Sequence, residues 1–106
     1  DVLNGGVIAT LIDCHCLCTV VAAAYREEDR QIGSSPTIWY VTGSLQVSYL
    51  KPTAINKPVT LRAKVQITKP KKTIIECSLY SLSKETARAE VIAVRVPTGW
   101  LEGDAR

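Results

Sequence analysis

The sequence predicts a two-layer α+β fold in which one long helix packs on a curved antiparallel sheet. Residues 5–26 form a proline-free run of apolar and small side chains, which is too long for a strand and fits a helix buried on most sides. After Pro36 apolar and polar residues alternate with period two, as in strands with one solvent-exposed face. Since the helix is the only element available to cover the apolar face of those strands, the two layers must pack together.

The helix is predicted to begin after Asn4, a residue type that suits the N-cap position, and to end near Arg26. At 1.5 Å per residue such a helix is about 33 Å long. The charged run 26–30 then leads into a loop that ends at Pro36.

Four strands are predicted to follow the helix, at residues 38–50, 59–68, 73–82 and 87–96. The clearest alternation is in the second strand, where one face carries Leu61, Ala63, Val65 and Ile67. The short connections 69–72 and 83–86 predict antiparallel hairpins. The tail from Pro97 to Arg106, with Trp100, is predicted to be a loose end.

Composition favours a single domain that spans residues 1–106. A chain of 106 residues builds one modest core, so an apolar surface shared with a partner subunit would supplement it. Three of the four cysteines lie within five residues, which is unlike a disulfide framework and suits a reducing cytoplasm. No secretion signal is recognisable, and no uninterrupted apolar run approaches the ~20 residues that cross a bilayer, so we expect no membrane partner.

The charge pattern permits an anionic ligand without identifying one. The net charge is +3 and the charges of both signs are interleaved. Lys51, Lys71 and Lys72 lie in two predicted loops and could contact the phosphates of a nucleotide carrier, although solvated turns have the same composition. The strands lack the exposed aromatic residues that single-strand binders use for stacking, so we expect no nucleic-acid partner.

Two features near the helix start could carry chemistry. Asn4, Gly5 and Gly6 open the helix, where unpaired N–H groups and the positive end of the dipole can receive an anion or a polarised carbonyl. Taken alone, they fit a tight turn without a ligand better. Asp13 is the only carboxylate between Val2 and Tyr25, and it could act as a base or nucleophile or bond a partner chain.

The remaining titratable residues of the helix are predicted to be structural. His15 is rotated roughly 160° from Asp13 around the helix, so we expect a hydrogen-bonded core or interface histidine. Cys14 and Cys18 are one turn apart, but tetrahedral zinc needs two further ligands and only Cys77 is left. We therefore expect small buried cysteines, no metal and no other cofactor.

Two segments resemble a known family. Residues 3–13 (LNGGVIATLID) resemble the helix-opening motif of hotdog-fold acyl-CoA thioesterases of the phenylacetate-pathway type, within the 4-hydroxybenzoyl-CoA thioesterase superfamily. That motif is His-Gly-Gly, a few apolar residues and then an acid. Residues 41–52 (VTGSLQVSYLKP) resemble the next strand of the family, which ends in Tyr-x-x-Pro, and the two segments occur in the same order.

The resemblance implies a hotdog fold, in which a curved antiparallel sheet wraps a long central helix, and the hydrolysis of an acyl-CoA substrate. Gly5 would polarise the thioester carbonyl through its N–H, and Asp13 would be the nucleophile or general base. Thr42 would correspond to the family's Ser or Thr that orients water or carboxylate from the neighbouring subunit. The implied assembly is a homodimer or homotetramer with its active site at the subunit interface. Together with the loop lysines described above, this leads us to expect substrate contacts at Asn4, Gly6, Lys51, Lys71 and Lys72.

The sequence also departs from the family pattern. Asn4 stands where the family has histidine, and the chain begins three residues earlier, so we expect a fragment that lacks the N-terminal strand. A hotdog hydratase or dehydratase would need a histidine paired with an acid, for which His15 is poorly placed. A non-catalytic acyl-CoA binder or structural oligomer is the alternative from a different functional class.

Overall fold

The computed structural model describes residues 1–97 and 99–100, which form one long helix and a four-stranded antiparallel sheet. The helix α1 is Gly5–Glu27, and the strands are β1 (Tyr40–Tyr49), β2 (Val59–Thr68), β3 (Lys72–Ser81) and β4 (Lys84–Arg95). Their order in the sheet is β1-β4-β3-β2, and α1 lies on one face. This confirms the predicted α+β architecture.

Helix α1 begins where the sequence predicted, with Asn4 as its N-cap. One stripe of α1 is buried against the sheet, formed by residues spaced four apart: Ile8, Ile12, Cys16 and Val20. The opposite side is exposed and includes Val7, Cys14 and Cys18. The expectation that all cysteines are buried is therefore wrong for Cys14 and Cys18, because they lie on the side of α1 that faces away from the sheet.

The helix is also long and apolar enough, by length and composition, to cross a bilayer. The sequence analysis did not expect this because it counted only uninterrupted apolar residues. In the structure, α1 is the central helix of the core, and its buried stripe packs on the sheet.

The core lies between α1 and the inner faces of β3 and β4. Ile75, Cys77 and Leu79 of β3 are at most 1% exposed. The inner face of β4 carries mainly small residues, which allow the helix to approach closely: Ala87, Ala89, Val91 and Ala93.

Two bulges change which face of the sheet the side chains point to, compared with simple alternation. A register shift between Val65 and Ile67 turns Ile67 outward, where it is 47% exposed, so its predicted place beside Leu61 is wrong. A second shift, between Thr42 and Ser44, makes Gly43 the extra residue of a bulge. Because of this bulge Thr42 faces the helix, as Tyr49 does at the other end of β1.

The connection between β3 and β4 is shorter than predicted. Ser81 pairs with Lys84, so the turn contains only Leu82 and Ser83, which have φ of 52° and 74°. Two consecutive positive φ values are the geometry of a tight two-residue hairpin turn. The predicted loop 83–86 is therefore wrong. The sequence did not reveal the turn because Leu82 and Ser83 are neither glycine nor asparagine, the residues that usually mark such turns.

The predicted C-terminal tail includes Pro97 and Trp100, which lie near each other. Trp100 is 47% exposed, and its N–H donates to the carbonyl oxygen of Pro97 at 3.0 Å. Residues 98 and 101–106 lie outside the described residues.

Candidate active site

The first peptide of α1 is contacted by two side chains. The Asn4 Oδ1 atom accepts a hydrogen bond from the Gly6 N–H at 2.7 Å, and the Tyr49 hydroxyl donates to the Gly5 carbonyl oxygen, also at 2.7 Å. Within the described residues the Gly5 N–H has no hydrogen-bond partner. This N–H therefore remains available to a ligand, whereas the Gly6 N–H is occupied by Asn4.

The segment before the helix is anchored to the sheet. The Leu3 N–H donates to the Thr53 carbonyl at 2.8 Å, and Val2 forms an antiparallel bridge with Ala54. Thr53 is 1% exposed, and its hydroxyl donates to that of Thr86 at 2.7 Å. The helix N-terminus thus has a fixed position relative to the start of β4.

Asp13 lies two turns further along α1 and pairs with β1. The Thr42 hydroxyl donates to Asp13 Oδ1 at 2.6 Å, a short bond of the charge-assisted kind. Asp13 is half-buried and Thr42 is exposed, so the pair borders solvent. The bond orients the carboxylate and leaves its second oxygen to face a water or a substrate. The resemblance implied that this threonine acts across a subunit boundary, whereas here it contacts Asp13 of its own chain.

The Gly5 N–H and the Asp13 carboxylate lie at different heights along α1. Eight residues separate Gly5 from Asp13, which corresponds to a rise of about 12 Å. Strand β1 runs antiparallel to α1, so that Tyr49 contacts Gly5 and Thr42 contacts Asp13. The structure therefore joins Asp13 to Thr42 and Gly5 to Tyr49, but it does not join these two pairs within one chain.

The predicted lysines also fall into two groups. Lys51 lines a groove of about 420 Å³ together with Gly5, Tyr49 and Leu50. Lys71 and Lys72 are exposed at the other end of the sheet, where Lys72 pairs with Val94 of β4. Since Val94 pairs in turn with Val41, these two lysines belong to the end that carries Thr42.

The thiols and the histidine do not form a second reactive centre. A hydrogen bond with Cys77 and burial raise the pKa of the Cys16 thiol far above its ordinary value, so it stays protonated. His15 is half-buried on the helix, and the hydrogen-bond partner of Asp13 is Thr42. In the described part of the chain, no three or more His, Cys, Asp or Glu residues are grouped as metal ligands would be.

Tyr49 is the site residue to which the sequence analysis gave no role. It was noted only as part of the Tyr-x-x-Pro pattern. Its contact with Gly5 spans 44 residues of sequence. The only local signal was an aromatic residue at the end of a strand, which does not reveal what the ring and hydroxyl contact.

Comparison with known proteins gives likenesses at the level of structure. No protein-family model matches the chain, and no curated protein matches it. A crystal structure of a thioesterase superfamily protein from Shewanella loihica is 31% identical, with a TM-score of 0.71, over 91% of this chain and 70% of that one.

Two further solved structures share the fold at lower identity. A thioesterase from Thermus thermophilus, complexed with coenzyme A and Zn, is 14% identical with a TM-score of 0.69, over 92% of this chain and 68% of that one. A gentisyl-coenzyme A thioesterase is 12% identical with a TM-score of 0.68, over 90% of this chain and 75% of that one.

Proposed function

The chain belongs to the thioesterase superfamily and has the hotdog fold, and from this we propose that it hydrolyses acyl-CoA thioesters to a free acid and CoA. The observation that carries the proposal is the 2.6 Å hydrogen bond between Thr42 and Asp13, which orients the single carboxylate of residues 5–26 at the border with solvent. Coenzyme A bound to the Thermus thermophilus thioesterase supports the choice of carrier.

In the proposed reaction Asp13 acts as general base. Water attacks the thioester carbonyl carbon while Asp13 takes a proton from that water. Thr42 keeps the Asp13 carboxylate aligned. The Gly5 N–H and the helix dipole stabilise the negative charge that develops on the carbonyl oxygen. When the C–S bond breaks, the departing CoA sulfur receives the proton from Asp13, so one water is consumed and one acid and one thiol are formed.

The separation of Gly5 from Asp13 supports a site shared by two copies of the chain. An oxyanion donor and a base that act on one carbonyl lie within about 6 Å of each other, whereas these two groups are about 12 Å apart along α1. In a two-fold symmetric dimer Gly5 of each copy can face Asp13 of the other. Surface for such a homodimer or homotetramer is offered by the exposed side of α1, with Val7, Cys14 and Cys18, and by the edge of β1 that has no partner strand among the described residues.

A shared site also gives the predicted substrate contacts a common location. Lys51 accompanies Gly5 in one copy, and Lys71 and Lys72 belong to the end of the chain that supplies Asp13 in the other. We propose that these lysines contact the CoA phosphates, and that Asn4 and Gly6 border the thioester. The four free cysteines support a reducing compartment such as the cytoplasm.

The test is thiol release from short, medium, long and aromatic acyl-CoAs by the wild type and an Asp13→Asn variant. Loss of a general base lowers kcat by roughly 10²–10⁴-fold. Asp29→Asn is the matched control, because Asp29 is an exposed loop residue with a φ of 53° that asparagine tolerates. Equal turnover by the wild type and Asp13→Asn would remove Asp13 from the mechanism. CoA binding without turnover by any variant would favour the non-catalytic binder.

A further inference from the structure

The ring of Tyr49 is packed against the first residue of α1. A Cβ atom added to Gly5 would lie 3.2 Å from Tyr49 Cζ and 3.3 Å from its hydroxyl oxygen, closer than ordinary van der Waals contact. The same hydroxyl donates to the Gly5 carbonyl oxygen at 2.7 Å. The absence of a side chain at Gly5 is therefore what allows Tyr49 to reach the backbone.

Asn4 contacts the other end of the same peptide. The Gly5 carbonyl and the Gly6 N–H belong to one planar unit, and Asn4 Oδ1 accepts from that N–H at 2.7 Å. A Cβ atom on Gly6 would approach Asn4 Oδ1 to 3.1 Å, so Gly6 too leaves room for its partner. One peptide plane is thus held at both ends by two side chains.

We propose that Tyr49 and Asn4 are positioning residues that hold the Gly5–Gly6 peptide as a clamp. The Gly5 N–H lies in the adjoining Asn4–Gly5 peptide, which meets the clamped peptide at the Gly5 Cα, so the clamp restricts the directions in which this N–H can point and aims it at the substrate carbonyl. This inference rests on the proposed thioesterase function, in which the Gly5 N–H stabilises the oxyanion. The clamp is needed because two consecutive glycines are the most flexible start a helix can have, and first turns fray. An oxyanion donor is effective only when its position is fixed before the reaction.

The sheet holds Tyr49 in place for this task. Tyr49 pairs with Ala87 of β4, and the following Leu50 N–H donates to the Thr86 carbonyl at 2.9 Å. Ala87 and Thr86 are both buried, at 0% and 4% exposure. Pairing with β4 therefore fixes the backbone of Tyr49, and its ring, which is 53% exposed, lies against the start of α1.

The clamp also explains how asparagine can occupy the position at which the hotdog-fold thioesterase motif has histidine. To hold the Gly6 N–H, the side chain of residue 4 must place a hydrogen-bond acceptor close to the backbone. The amide oxygen of asparagine is such an acceptor, and it does not titrate. Serine is an equally good N-cap, because its hydroxyl accepts from the same N–H groups, whereas alanine is not. Residue 4 therefore offers both a disabling substitution and a conservative one.

The experiment compares the wild type with Tyr49→Phe, Asn4→Ala and Asn4→Ser, all as full chains. Tyr49→Phe keeps the ring and removes only the donor. The control is Tyr80→Phe, because Tyr80 lies on the outer face of the sheet, where its ring is 5.8 Å from the Arg62 guanidinium. Two readouts are taken: the NMR ¹³C resonance of the Gly5 carbonyl, and kcat and KM with the best acyl-CoA substrate.

We expect the Gly5 carbonyl resonance to move in Tyr49→Phe and to stay unchanged in Tyr80→Phe. We expect kcat to fall about 5- to 30-fold in Tyr49→Phe and in Asn4→Ala, less than the 10²–10³-fold that follows removal of a donor, with KM within about twofold. Asn4→Ser should recover most of the kcat lost in Asn4→Ala. The Tyr49→Phe/Asn4→Ala double variant should lose less than the product of the two single losses, because both act on one peptide.

An unchanged carbonyl resonance in Tyr49→Phe would overturn the clamp, whatever the kinetics. A moved resonance with unchanged kcat would show that the clamp exists but does not position the donor, which also overturns the inference. A wild type without turnover would instead overturn the proposed function, and the carbonyl resonance would still decide separately whether the peptide is held.

Discussion

The bulge in β1 predicts an unusual sensitivity at Gly43, the residue that follows Thr42 and makes no contact with substrate in the proposed mechanism. A Cβ atom added to Gly43 would lie 2.8 Å from the Cγ2 atom of Val94 and 3.3 Å from the carbonyl oxygen of Ile92. The distance to Val94 Cγ2 is shorter than carbon atoms approach in real structures. The Ile92 carbonyl oxygen belongs to the backbone of the neighbouring strand, which cannot easily move away. Gly43→Ala therefore requires the Val94 side chain to turn away and β1 to move by a few tenths of an ångström from β4 at the bulge.

The expected cost follows from overpacking. Forcing an extra methyl group into a closely packed position costs about 1–3 kcal/mol, which for a domain of this size corresponds to a fall in Tm of roughly 5 to 15 °C. Activity should fall as well, because the displaced bulge carries Thr42 away from Asp13. We expect a decrease in kcat of about tenfold, because the shift is smaller than the 1 Å misplacement that can cost about 10²-fold.

The assay measures Tm by thermal unfolding and kcat by thiol release for Gly43→Ala, Val94→Ala and the double variant. Removing the Val94 methyl groups takes away the closer of the two obstructions, so the double variant should regain much of the Tm and kcat that Gly43→Ala loses. Val94→Ala alone serves as the control for the loss of an exposed valine. A Gly43→Ala protein with wild-type Tm and kcat would refute the role assigned to the bulge.

Two further predictions concern side-chain bonds. Thr42→Val keeps the shape of the side chain but removes the donor to Asp13, so kcat should fall about tenfold while the protein stays folded by circular dichroism; unchanged kcat would show that the bond has no catalytic role. The Arg88 guanidinium, with a smaller contribution from Ser78, lowers the pKa of Glu85 from 4.5 to about 2. Because the folded-state pKa is the lower one, this contribution to stability is present above about pH 4.5 and is lost as the pH falls towards 2. Glu85→Gln should therefore lose less Tm than the wild type between those values. Salt should weaken the difference, since the Arg88 side chain is 60% exposed. Identical acid sensitivity of both proteins would contradict the assignment.

The sequence alone was sufficient for the features that depend on local chemistry. The apolar run, its N-cap Asn4 and the charged end predict α1 to within one residue at Glu27, because helix formation depends on residues within one or two turns. Strand β2 was predicted with the observed bounds, because alternation reports which face of a strand is dry. The resemblance of residues 3–13 led to the family because the motif lies in one continuous segment.

Tertiary structure decided the features that depend on packing between distant segments. The bulge at Gly43 turns Thr42 towards Asp13, and no periodic pattern predicts it, because a bulge is fixed by contacts with β4. The clamp on the Gly5–Gly6 peptide joins residues 44 positions apart, so Tyr49 carried no local sign of its contact. A sequence read along the chain identifies which residues can donate, accept or be buried; which of them meet depends on the register of the strands and the side of the helix that faces the sheet.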